Sequence, residues 1–263
     1  MHSSKVGAVI KQLRQRIKPL RNPGQSLDEQ LNKLLNEHVL AYVCCVAALV
    51  CVTVYEWIGS LFNVPRQPIV LSVCSVLAIG LFAAKVPKLR PKIRAIRLGR
   101  DGERLVGQSL ESLRVDGAFV FHDIPGDGFN VDHVVVSDRG ILVVETKTIE
   151  KRHPNARISF LGDQILYDGK KPSRDPIRQV RESAKWIAGL LAESTGRHFP
   201  VRGAVLFPHW WVDPAPECIR KDVWVLEPKA LPAFLKNEPQ RLASEDVKLV
   251  ASRLKSYVRN RSE

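Results

Sequence analysis

The hydrophobic positions of the chain form three patterns, and each pattern predicts a different kind of element. Two apolar runs, 39–55 and 69–84, contain no charged residue and predict helices that span a lipid bilayer. Later runs are short and rich in β-branched residues, which is typical of strands. Between and after these runs, apolar residues recur at intervals of three and four, which predicts amphipathic helices. The chain therefore combines a membrane-type helical hairpin with a soluble part that begins near Gly99.

The soluble part has the order of elements expected of one mixed α/β domain. Its roughly 165 residues are enough for a single hydrophobic core. Helices are predicted after Gly99, after Asp175 and toward Tyr257. Strands are predicted near 118–124, 131–136, 141–147, 201–207 and 223–227, with a further hairpin over 157–170. The predicted domain covers 99–235, and 236–263 is a C-terminal helical extension of it.

Two of the predicted strands bring acidic side chains together. In the segment NVDHVVVSDRGILVVETK, the residues SDRG supply turn formers between the strands. If Val136 faces Ile141 across this turn, the same register sets Asp132 directly opposite Glu145. Directly opposed side chains lie roughly 4.5–5.5 Å apart at Cβ. Because side chains alternate along a strand, Lys147 lies on the same face as Glu145.

Two like charges held this close repel each other unless a cation binds between them. A divalent ion such as Mg²⁺ binds through one or two carboxylates together with phosphate oxygens and water. Lys147 would then hold the attacking water or a phosphate. The alternative is a partly solvated strand end at which Lys147 neutralises Glu145. The residue types alone leave both alternatives open.

Glu103 and Gln179 are further candidates for the same site. Glu103 shares a helical stripe with Val106 and Leu110, so its carboxylate is directed toward the core. A buried carboxylate is costly unless it is paired or binds a metal, although an acid in a first turn is also favoured by the helix dipole. Gln179 follows the predicted N-cap Asp175, and it either positions water or phosphate or is simply solvated.

Four motifs, taken in order, resemble those of a known family. They are GRDGE at 99–103, HDI at 122–124, VDHVVVSDRGILVVETK at 131–147 and DPIRQ at 175–179. Together they resemble the nuclease-related domain (NERD) family of the PD-(D/E)XK nuclease-like superfamily. The resemblance is good from 98 to 195 and looser to about 235. It implies a restriction-endonuclease-like mixed sheet flanked by helices.

The resemblance also implies a role for each candidate residue. Asp132 and Glu145 would bind Mg²⁺ or Mn²⁺, with Glu103 as a third acid at the metal. Lys147 would be the motif lysine, and Gln179 would be a supporting residue. The implied activity is hydrolysis of phosphodiester bonds in nucleic acid.

The chain departs from the family directly after the motif lysine. Family members often carry a glycine there, whereas Thr148 leads into a basic, proline-containing insertion. Six cations belong to this region: Lys151, Arg152, Arg157, Lys170, Lys171 and Arg174. They either track phosphates or form a solvated charged loop.

Other residues with possible chemistry are assigned to packing. His133 faces away from Asp132 by strand alternation, so it is predicted to pack or to support the site rather than to bind metal. Trp210 and Trp211 follow an apolar run and are predicted to be core or rim aromatics rather than a stacking platform. Four of the five cysteines lie in the apolar runs, and Cys218 is alone, so no disulfide or zinc spacing appears.

Basic residues flank the two apolar runs and set their predicted orientation. Residues 1–38 contain seven Lys and Arg against three Asp and Glu, and 85–100 contain seven with no acid, whereas the short connection carries only Arg66. By the positive-inside rule both termini lie in the cytoplasm, as expected at a bacterial inner membrane. The predicted parts are 1–38, a basic amphipathic segment; 39–86, the two-span hairpin; and 87–98, a basic tether beside anionic lipid.

The formal net charge of +13 belongs mostly to these flanks. Residues 1–38 contribute +4 and 85–100 contribute +7, whereas 101–263 contribute only +2. The high pI is therefore poor evidence that the soluble domain binds nucleic acid.

Two hypotheses of different classes follow. The first is a membrane-anchored, metal-dependent nuclease that acts on DNA or RNA at the cytoplasmic side through Asp132, Glu145 and Lys147. The second is a non-catalytic membrane-tethered module that keeps the same fold to bind nucleic acid or protein.

Overall fold

The structure, a computed structural model, describes residues 19–61, 68–213 and 222–262. The chain forms two compact units: Ser26–Leu98 is one, and the segment up to Gln25 together with Gly99–Glu263 is the other. The predicted amphipathic stripe from Val6 to Ile17, the connection 63–67 and Cys218 lie outside the described residues.

The unit Ser26–Leu98 is built from long helices. Helix α1 (Gln25–Leu34) continues through a π-helical segment (Leu35–Leu40) into α2 (Ala41–Leu61), and α3 spans Pro68–Glu111. Two helical stretches, of 37 and 48 residues, are long and apolar enough to cross a membrane.

Helices α2 and α3 are joined by hydroxyl contacts, and both expose large apolar side chains over their apolar runs. Thr53 Oγ1 lies 2.6 Å from Ser75 Oγ, and Trp57 Nε1 donates to Ser72 Oγ at 2.9 Å. Large apolar side chains on both helices are exposed, with Val76 at 68%. Extended exposed apolar surface marks a membrane or protein contact.

The segment 87–98, predicted as a basic tether, is helical throughout. Pro87 and Pro91 both lie inside α3, which also continues past Gly99. A proline removes one backbone hydrogen bond and bends a helix, but the turns on either side still form.

The unit that contains Gly99–Glu263 is a mixed α/β domain around a five-stranded sheet. The strands are β1 (Phe119–Pro125), β2 (Asn130–Ser137), β3 (Gly140–Thr146), β6 (Val201–Leu206) and β8 (Val223–Leu226), in the order β1-β2-β3-β6-β8. The first three are antiparallel, whereas β6 and β8 run parallel to β3. The predicted restriction-endonuclease-like mixed sheet is confirmed.

Helices cover both faces of this sheet. Val134, Val143 and Val205 belong to a core with α4 (Pro176–Thr195) and α6 (Ser244–Ser262). On the other face, alternate residues such as Leu142 and Val144 pack against the end of α3 and against α5 (Leu231–Asn237). Strand β3 is thus buried on both faces along its whole length.

The part of the chain between β3 and β8 also forms a second, smaller sheet. Strands β4 (Arg157–Phe160) and β5 (Ile165–Tyr167) pair antiparallel, which confirms the predicted hairpin. A two-residue strand, β7 (Trp211–Val212), adds to β4 in parallel. The basic insertion is therefore an ordered part of the domain.

Candidate active site

The hairpin of β2 and β3 has the register that the sequence predicts. Val136 pairs with Ile141 and His133 pairs with Val144, so a continued register sets Asp132 opposite Glu145. The ladder pairs end at this point, and the backbone N–H of Thr146 donates instead to Asp132 Oδ2 at 2.7 Å. The carboxylate of Asp132 is thereby fixed against the end of β3.

Lys147 links β3 to helix α4. Its Nζ donates to Glu145 Oε1 at 2.6 Å and to Gln179 Oε1 at 2.8 Å. Gln179 is held here because Asp175 caps α4, accepting hydrogen bonds from two backbone N–H groups of the first turn, while Pro176 occupies the first helical position. The structure therefore brings together Glu145, Lys147 and Gln179.

Glu103 reaches the same end of the sheet through a close approach of α3. A Cβ on Gly102 would lie 1.8 Å from Thr148 Oγ1, so only glycine lets this turn of the helix pack against the residue after Lys147. Glu103 is 9% exposed, and the backbone N–H of Gly24 hydrogen-bonds its carboxylate. The predicted burial of Glu103 is confirmed.

The acidic side chains raise one another's proton affinity. Burial, followed by the charges of Asp123 and Glu145, raises the pKa of Glu103 to about 8. Desolvation, followed by the charges of Glu145 and Glu103, holds the pKa of Asp132 well above its usual range. Burial also raises the pKa of Glu145, which the Lys147 ammonium partly offsets. Joint ionisation of these carboxyls is therefore unfavourable, and a bound cation would favour it.

The donor set fits a divalent ion of the magnesium class, which is held by one or two carboxylates with water and phosphate. Asp132 and Glu145 supply two carboxylates. Within residues 19–61, 68–213 and 222–262, no three His, Cys, Asp or Glu side chains form a preorganised metal cage. The role of Glu103 as a third ligand stays a prediction. Beside it, Thr148 Oγ1 is buried and has no hydrogen-bond partner among the described residues, so a polar group there is left to be satisfied.

Two residues beside the site were missed by the sequence patterns. Asp123 is 1% exposed and has a left-handed φ of +51°. Arg21 donates to Asp123 Oδ2 from both Nε and Nη2, at 2.9 and 2.7 Å, and Asn130 donates to Oδ1 at 3.2 Å. The acidic residue in the HDI motif was a signal for Asp123. Arg21 is 102 residues away in sequence and had no such signal.

His133 lies in a buried polar chain on the face away from Asp132. Its Nδ1 is 2.9 Å from His122 Nδ1, and its Nε2 is 3.2 Å from Thr146 Oγ1. His122 Nε2 in turn lies 2.8 Å from Glu111 Oε1. Burial lowers the pKa of both histidines, so both are neutral at pH 7. His133 therefore contacts the side chain of Thr146 rather than lying among the acids.

The tryptophans and His153 differ in their surroundings. Trp210 is 4% exposed and donates from Nε1 to Ile149 O at 3.0 Å, as expected of a core aromatic, whereas Trp211 is 54% exposed. His153, for which the sequence offers no partner, lies 2.9 Å from Asp168 Oδ2 through its Nε2.

Comparisons with known proteins agree with the motifs. The nuclease-related domain family matches residues 98–208, a range that contains all five candidate residues. An uncharacterized protein of Bacillus anthracis is 28% identical over 100 residues, which are 36% of this chain and 47% of that protein. The chain thus spans about half the length of the curated relative that it matches. No solved structure matches the chain.

Proposed function

We propose that the nuclease-related domain of this chain hydrolyses phosphodiester bonds of DNA or RNA in the presence of Mg²⁺ or Mn²⁺. The observation that carries the proposal is the position of Lys147, whose ammonium group is held between Glu145 and Gln179 at 2.6 and 2.8 Å. A cation fixed in this way beside Asp132 is suited to a reaction that develops negative charge on a phosphate. The family match over 98–208 supports the same class of reaction.

Asp132 and Glu145 would hold the metal ion. Because the pKa values of both carboxyls are raised partly by burial and, at Asp132, by the neighbouring acids, a bound cation favours their ionised form. When bound, a divalent ion supplies Lewis-acid polarisation of the phosphate and a lower pKa for the attacking water. Asp132 is oriented for this by the N–H of Thr146.

Lys147 and Gln179 would act on the substrate side. Lys147 Nζ has three protons, and its two observed acceptors leave one for a phosphate oxygen or for the attacking water. Gln179 accepts from Lys147 through its oxygen, so its NH₂ group is directed elsewhere and serves as a second donor. Both groups are held before substrate arrives, which reduces the entropic cost of reaching the reactive geometry.

A bilayer would hold the chain through residues 39–86, with both termini and the nuclease-related domain in the cytoplasm of a bacterial cell. This part of the proposal is supported by the two apolar helices and their exposed apolar side chains. It is also supported by the seven cations of 85–100, which suit the anionic lipid of a cytoplasmic leaflet.

The direct test is a cleavage assay on the full chain in neutral detergent. Single-stranded and duplex DNA and RNA are incubated with Mg²⁺, Mn²⁺ or a chelator. Glu145→Gln should abolish cleavage, whereas the matched Glu193→Gln change, at an exposed residue of α4, should leave the rate unchanged. If the wild type binds these nucleic acids and cleaves none of them with either ion, the non-catalytic binding module is the correct function.

A further inference from the structure

A cleft of about 440 Å³ opens beside the candidate active site. Its walls are the connection after β3, the loop after β5 and the segment that precedes α4. Lys147 lines this cleft, so the cleft is continuous with the site. Four more cations line it: Arg152, Lys170, Lys171 and Arg174.

These four cations are available to a ligand. Other arginines of the domain are used in ion pairs, for example Arg181 with two aspartates and Arg197 with Asp246. By contrast, none of the four cleft cations has a hydrogen bond or ion pair from its side chain within the part of the chain that the structure describes. All four are exposed. Each thus keeps its full hydrogen-bonding capacity for an anion.

The basic excess of the domain is concentrated in this region. Residues 148–174 contain six Lys and Arg against three Asp and Glu, a net charge of +3. The rest of 101–263 contains 19 against 20, a net charge of −1. One of the three acids, Asp168, lies 2.9 Å from His153. The domain therefore directs its positive potential at the mouth of the site.

The floor of the cleft is fixed by packing. Trp210 is buried and holds Ile149 through its indole N–H, while Lys151 Nζ lies 5.6 Å from the centroid of the same ring. Tyr167 is half-buried and packs edge-to-face on Phe207 at a centroid distance of 5.7 Å. The buried Trp210 offers no open face for a base, so the cations are the main groups that this cleft presents to a ligand.

Resting on the proposed function, we infer that this cleft binds the phosphodiester backbone of the nucleic acid next to the phosphate that is cleaved. Arg152, Lys170, Lys171 and Arg174 contact successive phosphates, and Lys147 contacts the one that enters the site. Binding of this kind reads the backbone and not the sequence. A nucleic-acid strand suits the cleft better than a single headgroup, because four separate cations line it together with Lys147.

The test measures binding apart from cleavage. The full chain in neutral detergent carries Asp132→Asn throughout, and a fluorescent oligonucleotide is titrated over a range of salt concentrations. The cleft variant is Lys170→Gln with Lys171→Gln and Arg174→Gln. The matched control removes the same charge from exposed positions of α6: Lys248→Gln with Arg253→Gln and Lys255→Gln.

The cleft variant should bind at least about tenfold more weakly at 0.1 M salt, with a salt dependence reduced by about 2 in slope, as expected for the loss of three phosphate contacts. The control should bind within about twofold of the parent. A charge-conserving variant, Lys170→Arg with Lys171→Arg and Arg174→Lys, should restore binding. Melting curves of all variants should be alike, because the altered side chains are exposed.

Equal losses in the cleft variant and the control would overturn the proposal, since net charge alone would explain them. The proposal is also wrong if the cleft variant loses affinity for a soluble lipid headgroup, glycerophosphoglycerol, while its affinity for the oligonucleotide is unchanged. The proposed function can fail separately. If the wild type never cleaves nucleic acid but the cleft variant still binds the oligonucleotide more weakly, the binding site is correct and the nuclease activity is not.

Discussion

Arg21 and Asp123 form a buried ion pair, with side chains 11% and 1% exposed, that joins the segment before α1 to strand β1. Both Nε and Nη2 of Arg21 bind the same oxygen of Asp123. Two residues further along, Pro23 packs against Gly107, and the backbone N–H of Gly24 donates to the Glu103 carboxylate. The segment in front of the apolar helices is therefore part of the nuclease-related unit, and a fragment that begins at residue 98 lacks it.

Removing one partner of this pair should destabilise the domain strongly. Arg21→Ala leaves Asp123 charged and buried, which is expected to cost about 3–5 kcal/mol of unfolding free energy. The double variant Arg21→Ala with Asp123→Asn should recover part of this loss, because no uncompensated charge remains and asparagine tolerates the left-handed φ. Thermal and urea melts of the full chain measure both.

The exposed pair of Arg178 with Glu182 is the control, with side chains 78% and 65% exposed. Arg178→Ala should leave the unfolding free energy nearly unchanged, because the pair is solvent-exposed. A similar small effect for Arg21→Ala would mean that residues 19–25 do not pack on the domain.

Gly102 should tolerate no side chain, because a Cβ would lie 1.8 Å from Thr148 Oγ1. Gly102→Ala is expected to cost about 1–3 kcal/mol through overpacking and to reduce cleavage by moving Glu103. Adding Thr148→Ala removes the clashing Oγ1 atom and should restore part of the stability and part of the cleavage rate. Gly189→Ala, in α4 with no atom within 4 Å, should instead stabilise the chain slightly. Equal effects of the two glycine substitutions would contradict the close approach of α3.

The buried pair of His122 and His133 predicts a loss of stability in acid. Burial lowers the pKa of both rings in the folded state, so the unfolded chain takes up protons first. The two histidines should therefore lower the melting temperature as the pH drops below about 6.5 and through their folded pKa values, whereas the raised pKa values of the acidic cluster act in the opposite direction. The Glu111 carboxylate opposes this lowering at His122, so Glu111→Gln should make the fall steeper. The comparison of Glu111→Gln with the wild type isolates the histidine contribution, and an identical pH dependence of the two melting temperatures would contradict the buried neutral pair.

The proposed membrane orientation predicts which positions are accessible from outside the cell. In intact cells, a membrane-impermeant thiol reagent should label a cysteine placed at Gln67 and should not label one placed at Ser256, which is exposed on α6. After the cells are disrupted, the reagent should label both cysteines. The reverse pattern in intact cells would contradict the cytoplasmic position of the domain.

Local patterns predicted most of the geometry of the candidate site, because its main part is a hairpin. The two-residue turn and the β-branched strands fix the register that sets Asp132 against Glu145, and the cap at Asp175 fixes the start of α4 and hence Gln179. Helical periodicity likewise predicted that Glu103 is buried. These relationships span few residues, so turn and cap chemistry is sufficient to specify them.

The remaining features depend on contacts that no local pattern encodes. Arg21 finds Asp123 across 102 residues, and only the folded domain makes that charge buried. Strand β7 joins β4 although it has two residues and no strand-like run. Tertiary context decides each of these cases.

The central claim, that Asp132 and Glu145 form a divalent-metal site, is tested most directly by the melting temperature of the full chain with and without millimolar Mg²⁺ or Mn²⁺. Metal binding to the folded state should raise it in the wild type by linkage. Asp132→Asn and Glu145→Gln should each remove this shift while leaving the metal-free protein as stable or more so, because a repulsion between carboxylates is gone. Lys147→Ala should abolish cleavage and keep most of the shift. A wild-type chain that shows no metal-dependent shift, and no metal binding by calorimetry at the same concentrations, would contradict the account.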